Sequence, residues 1–271
     1  MGISAQVYKA VKHSTLQSLL ISQMKKELIT TFIEKWKSYF NIAELPITYS
    51  YSNDEKDAEL MPKAKEWSCL IKELNMVRNG RSLCYSAESI GCAGGKRYTG
   101  FSRTLRPKFE YFLSCGIEGE LDGERYIKTP EMVRDIMKNH KNLDLPGKYL
   151  IFKRWDKLTE ADNPDAVIFF AKSDVLAGLF TLANFDQTEP NVTFSPFGAG
   201  CSSIVYYPYL EKDRDRQRAV IGMFDPSARI SIHPDELTFT VPMKKFEQMV
   251  GYMDDSFLIT PTWEKIQERI T

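Results

Sequence analysis

The chain has 271 residues, 43% hydrophobic and 27% charged, the balance of an ordinary globular protein long enough to build its own core. Lys and Arg total 36 and so do Asp and Glu, so no net charge draws it to nucleic acid or to a membrane surface. No apolar run approaches the ~18 residues that span a bilayer, the polar start MGISAQVYKAVKHSTLQSLL has no signal-peptide pattern, and Gln6 stands where a myristoylation signal needs Ser or Thr. The expected compartment is the cytoplasm. There the five cysteines, an odd number, stay reduced rather than forming a disulfide framework.

In chain order, residues 14–40 place Leu16, Leu19, Leu20, Met24, Leu28, Phe32, Trp36 and Phe40 at helical spacing. They predict one long amphipathic helix capped by Ser14 or Thr15. LPITYSYSN (45–53) alternates and is rich in β-formers, so it reads as a strand. The charged DEKDAELMPKAKEW reads as a loop feeding a helix near 62–78 that carries Cys69. RSLCYSAES (81–89), with Cys84, reads as a short strand ending at a glycine turn. Residues 99–115 look helical apart from Pro107, and 116–130 form a surface loop or hairpin. Thr129-Pro130 starts the next helix, with a capping side chain followed by proline at the first helical position.

The second half alternates more regularly. KYLIFKRW (148–155) and DAVIFFA (165–171) read as buried strands, and 172–185 as a helix capped by Ser173. CSSIVYYPYL (201–210) reads as a short helix, RAVIGMFDPSARISI (218–232) as a strand with a sharp turn, and ELTFTVP as a strand. Residues 243–253 and 260–270 read as helices, the last opened by Thr260-Pro261. Such alternation predicts a mixed α/β fold, a mixed sheet covered by helices. The expected organisation is a helical extension over 1–45 and a single composite domain over 46–271, with two lobes meeting near 145–149.

Two stretches carry the chemistry. IGCAGGKRYTGF (90–101) and FSPFGAGCSSIVYYPY (194–209) each set a cysteine in a glycine-rich turn ahead of a helix. Glycine lets the backbone approach a ligand, and a helix N-terminus favours a thiolate, the form needed for metal ligation and for nucleophilic attack. The spacing C-x2-C is absent, so a metal site through Cys92 and Cys201 has to be assembled by the fold. GCAGGK fails the phosphate-loop pattern because Arg97 stands where Ser or Thr belongs, yet backbone N–H groups with Lys96 and Arg97 suit an anion. Asp225 reads as a cap, and Arg229 either clamps an acidic ligand or pairs with Asp225. His13 and His140 read as solvated, which leaves His233 as the histidine partner for a thiol. Phe197, Tyr206, Tyr207 and Tyr209 either wall an apolar pocket or pack the core.

CLIKELNMVRNGRSLCYSAESIGCAGGKRYTGF, VIFFAKSDVLAGLFTLANF, FSPFGAGCSSIVYYPYLE, GMFDPSARISI and LTFTVPMKKFEQMV, taken together, resemble the uncharacterised ArCR family, a prokaryotic domain of unknown function. The resemblance covers roughly residues 60–270. It implies members drawn largely from archaea and anaerobic or gut bacteria, and a convergence of Cys69, Cys92 and Cys201, with Cys84 as a fourth thiol. The leading expectation is a protein that binds a metal or iron–sulfur cluster through Cys69, Cys84, Cys92 and Cys201. Gly91, Gly94, Gly95, Lys96 and Gly200 would shape the cofactor seat. Iron–sulfur or zinc is the expected cofactor, and electron transfer or metal delivery to a redox partner the expected role. A small ligand, or a second copy docked through the N-terminal helix, is the other expected partner. Two readings stay open beside it: an enzyme with nucleophilic Cys201 or Cys92 and Arg229 holding a small anionic substrate, and a small-ligand-binding protein whose cysteines only pack.

Overall fold

The computed structural model describes the backbone of residues 5–270 and the side chains of residue 17 and residues 19–270. A 36-residue helix, α1 (Ala5–Phe40), leads the chain. It runs through Ser14 and Thr15, so neither caps it, and their side chains, with those of His13 and Leu16, lie outside the described residues. Then follow β1 (Ile47–Ser52), β2 (Glu59–Leu60), α2 (Leu70–Arg78), β3 (Leu83–Tyr85), α3 (Ala93–Tyr98), α4 (Phe109–Phe112), α5 (Pro130–Lys138) and β4 (Tyr149–Arg154). The second half adds β5 (Ala166–Ala171), α6 (Ser173–Asn184), β6 (Thr193–Phe194), a π-helical turn (Ser202–Tyr206) running into α7 (Tyr207–Glu211), β7 (Ala219–Gly222), α8 (Pro226–Arg229), β8 (Leu237–Pro242), α9 (Met243–Tyr252) and α10 (Pro261–Gln267).

Eight strands form one mixed sheet in the order β2-β3-β4-β1-β5-β8-β7-β6. The central pairs are antiparallel, and the outermost pair at each end, β2 with β3 and β6 with β7, is parallel. The sheet runs unbroken across 145–149, because β4 after that point pairs with β1 and β3 before it. Strand alternation divides the buried side chains between two cores. In β5, Ala166, Ile168 and Phe170 face a core built with α2, α3 and the π-helical turn. Val167, Phe169 and Ala171 face an aromatic core built with α1, α6, α9 and α10. Trp36 and Phe40 stack at 4.2 Å there, so the second half of α1 is part of the fold and not an appendage.

Several local expectations change. The helix expected near 62–78 starts at Leu70, after the charged run and Pro62. The helical pattern over 99–115 shortens to the single turn α4, because Pro107 interrupts it and Lys108 takes a left-handed φ of 60°. Ser173 is the first helical residue of α6, and Lys172 holds the cap position. Thr129 and Thr260 cap α5 and α10 through their side chains, each followed by proline.

Candidate functional site

Three thiols lie at helix starts within electrostatic reach of one another. Cys69 is the N-cap residue of α2 and Cys92 that of α3, while Cys201 sits in the first turn of the helical run that opens at Gly200. The first turn of α2 is the common floor. A Cβ on Gly95 would lie 2.7 Å from Cys92 Sγ and 3.8 Å from Leu70 Cβ, and one on Gly200 would lie 3.3 Å from Ile71 Cγ1. Both glycines are therefore needed for close approach: a methyl on Gly95 invades Cys92, and one on Gly200 comes within 2.8 Å of Ala228 and 2.9 Å of Met223.

Burial and hydrogen bonding pull the thiols in opposite directions. The N–H of Gly95 donates to Cys92 Sγ at 3.1 Å, and the N–H of Leu70 adds a second donor, so one sulfur faces two helix N-termini. Burial outweighs both donors and raises the Cys92 pKa above the ordinary thiol value. Cys201 is buried more deeply, and its pKa lies well above that value because of burial first, then the proximity of Cys92, Cys69 and Asp225. At neutral pH these two groups are thiols, not thiolates.

The remaining expected site residues distribute as follows. Cys84 stands apart from the other three: Leu83 and Tyr85 face the core that holds Cys201 and Cys69, so Cys84 points through the other side of the sheet, against Ala58 and Ile151. Burial, with Glu55 and Asp54 adding, pushes its pKa up to about 12. Cys115 is exposed. Gly91 and Lys96 line an open groove of about 420 Å³ together with Lys63, Lys65, Glu66 and Glu88. Gly94 has open space around it and imposes no constraint. Asp225 caps α8 through Ser227 and also accepts from the Gly200 N–H at 3.2 Å, which ties the cap to the second glycine turn. The Arg229 guanidinium donates to the carbonyls of Glu236 and Pro234, and among the described residues it forms no ion pair with Asp225. His233 is exposed, with Nδ1 3.7 Å from Asp235. Tyr206 packs in the core, whereas Phe197 is 59% exposed and walls nothing.

His140 departs furthest from expectation. Instead of being solvated, its ring stacks on Tyr206 at 3.9 Å and meets the buried Arg97. Burial, then the Arg97 charge, lowers its pKa to about 4. The chain beyond His140 is held close too, since a Cβ on Gly100 would lie 2.8 Å from Leu145 Cδ2 and 3.1 Å from Leu143 Cβ.

Among the described residues no group of three or more His, Cys, Asp or Glu side chains stands closely enough to hold a metal ion as it is, and no helix is long and apolar enough to cross a membrane.

The model of the family DUF169, uncharacterised ArCR, matches residues 37–251. The chain belongs to the ArCR family. That match begins in the last turns of α1 and spans all three clustered thiols, Arg97, His140 and Asp225. No curated protein and no solved structure matches the chain.

Proposed function

We propose that this ArCR protein binds a thiophilic metal ion or metal cluster through Cys92 and Cys201, with Cys69 as third ligand, and serves electron transfer or metal delivery. One observation carries the reading: three thiols from distant parts of the chain stand at three helix starts, near enough for Cys92 and Cys69 to raise the pKa of Cys201. Thiol pKa values raised by burial suit a cation that supplies the missing positive charge and deprotonates its ligands on binding. Soft sulfur donors select zinc, copper(I) or iron–sulfur. The N–H groups of Gly95 and Leu70 would then serve as sulfur-directed donors that tune the site. Binding requires the half-exposed Cys69 and Cys92 to close on Cys201. A nucleophilic thiolate has less behind it, because among the described residues no cation acts on either sulfur and burial favours the protonated form of both.

The test is iron and zinc content, with the absorption spectrum, of full-length protein prepared without oxygen. Cys92→Ser and Cys201→Ser should each remove the metal, and Cys84→Ser should leave it unchanged. Equal metal content in all three variants and the parent ends the proposal. Five free cysteines agree with a reducing, cytoplasmic setting. The exposed Leu19, Leu20, Ile21 and Met24 on α1 support a second copy of the chain as a partner, which sedimentation of the parent and of Leu20→Glu reads directly.

A further inference from the structure

Arg97 is 4% exposed, yet among the described residues it makes no ion pair. Its Nη2 donates to the His140 carbonyl at 3.2 Å and lies 3.5 Å from His140 Nδ1. Its Nη1, buried, has no partner, and neither does the buried Nε2 of His140. A buried guanidinium without an acid is a costly arrangement, and most buried charges are paired. The nearby acid does not relieve it. Arg97 and Asp225 both act on Tyr98, but the Asp225 oxygens are occupied by the N–H of Gly200 and by the N–H and hydroxyl of Ser227.

We propose that Arg97 and His140 form the seat of a small oxyanion, a carboxylate or a tetrahedral phosphate-like group. In the tautomer in which Nδ1 accepts from Arg97, the neutral ring carries its proton on Nε2, and Nε2–H is then a donor. Arg97 Nη1 offers two further N–H groups in the planar fork that fits oxyanions. The two orphaned nitrogens belong to groups in contact, Arg97 Nη2 lying 3.5 Å from His140 Nδ1. His140 is held in place by stacking on Tyr206, whose hydroxyl in turn donates to the Lys141 carbonyl at 3.0 Å. The seat is distinct from the thiol cluster but adjoins it, because Tyr98 lies within electrostatic reach of both Arg97 and Cys201. It stands or falls independently of metal binding.

The experiment is thermal unfolding of the full chain with inorganic phosphate, sulfate or formate, each at ionic strength matched with chloride. General salt effects on stability act on parent and variant alike, so the quantity read is the shift in the parent minus that in Arg97→Met. A seated oxyanion at roughly 100 times its dissociation constant should raise Tm by about 5 °C more in the parent. Arg97→Lys should keep part of this response. Response to formate alone assigns a carboxylate, and response to phosphate and sulfate alone assigns a tetrahedral group. If Arg97→Met does not fold, His140→Gln takes its place, with a reduced response expected. Equal shifts in the parent and the folded variant for all three anions would overturn the proposal.

Discussion

The two faces of the sheet are built from the same strands but to different standards. On the aromatic face Phe32, Trp36, Trp155, Phe169 and Phe246 pack at centroid distances from 4.8 to 6.3 Å. Every indole N–H there has a carbonyl: Trp36 on Ala43, Trp155 on Ile29 and Trp263 on Tyr39. The thiol face instead carries unpartnered Arg97 and His140 nitrogens. By strand alternation from Phe239 and Val241, it also carries the unpartnered hydroxyls of Thr238 and Thr240. A buried polar group without a partner weakens a fold, so under the proposed function the aromatic face is expected to carry more of the stability and the thiol face the binding.

Trp36→Ala is the strongest way to break that division. It removes a ring stacked on Phe40 and leaves the Ala43 carbonyl without its donor, and we expect a loss of about 3–5 kcal/mol in urea unfolding. Metal content of the protein that remains folded should be unchanged. A loss below 1 kcal/mol, with metal gone, would reverse the roles of the faces. Next come Gly95→Ala and Gly200→Ala, where the added methyl lies within 3 Å of heavy atoms, Cys92 Sγ in the first case and Ala228 Cβ and Met223 Sδ in the second. Overpacking of this kind costs roughly 1–3 kcal/mol. Each should lower metal content more than Gly94→Ala, whose methyl meets nothing. If Gly94→Ala impairs metal binding as much as the other two, the close approach at the thiols is not what matters.

How far the sequence carried these conclusions depends on how local each signal was. The apolar run of 165–171, the Thr-Pro starts of α5 and α10, and the glycine turn that sets Cys92 ahead of a helix are all written within a few residues, and they read correctly. The mixed sheet followed from the same patterns. Cys84 was misassigned because period-2 alternation in a three-residue strand says that Leu83 and Tyr85 share a face without saying which one. Only pairing with β4 decides that. Arg97 and His140 are 43 residues apart, and the charged context of His140 gave no hint that α3 and the chain after α5 meet. Arg229 looked like a ligand clamp because its own loop, which supplies both carbonyl acceptors, is not legible before folding.

A smaller effect follows from the His140 ring. Its pKa is lowered from 6.5 to about 4 by burial and by Arg97, with the Lys141 carbonyl acting the other way; Tyr98, Tyr206 and Tyr207 complete its surroundings. Between those pH values the unfolded chain binds a proton that the folded ring does not, so its contribution is full above about pH 6.5 and is lost as pH falls towards 4. Screening at a half-buried ring reduces the linkage value, and we expect about 1–2 kcal/mol. The parent-minus-His140→Gln difference in unfolding free energy isolates it from the carboxylates. A difference that stays flat from pH 7 to 4 would show that Arg97 and burial do not hold the ring neutral.

The smallest perturbation is alkylation of the native protein, which leaves every side chain in place until a thiol is exposed. Cys115 is exposed and should react first, at the rate of an open thiol. Cys201 and Cys84 are buried with raised pKa values, so each reacts only when its own side of the sheet opens, and their rates report two separate opening reactions. Cys84 is the central residue of β3, paired on both sides by β2 and β4, with its side chain held among Ala58, Ile151 and Tyr149. Cys201 lies in a helix start over a π-helical turn, an element whose backbone bonding is less regular than that of an α-helix. Peptide mapping after timed iodoacetamide exposure should therefore give the order Cys115, then Cys201, then Cys84, with denaturant accelerating Cys84 most steeply. Bound metal should protect Cys201 and leave Cys84 unaffected. If Cys201 and Cys84 react at one common rate with one denaturant slope, the sheet opens as a single unit, and the two faces differ in chemistry but not in stability.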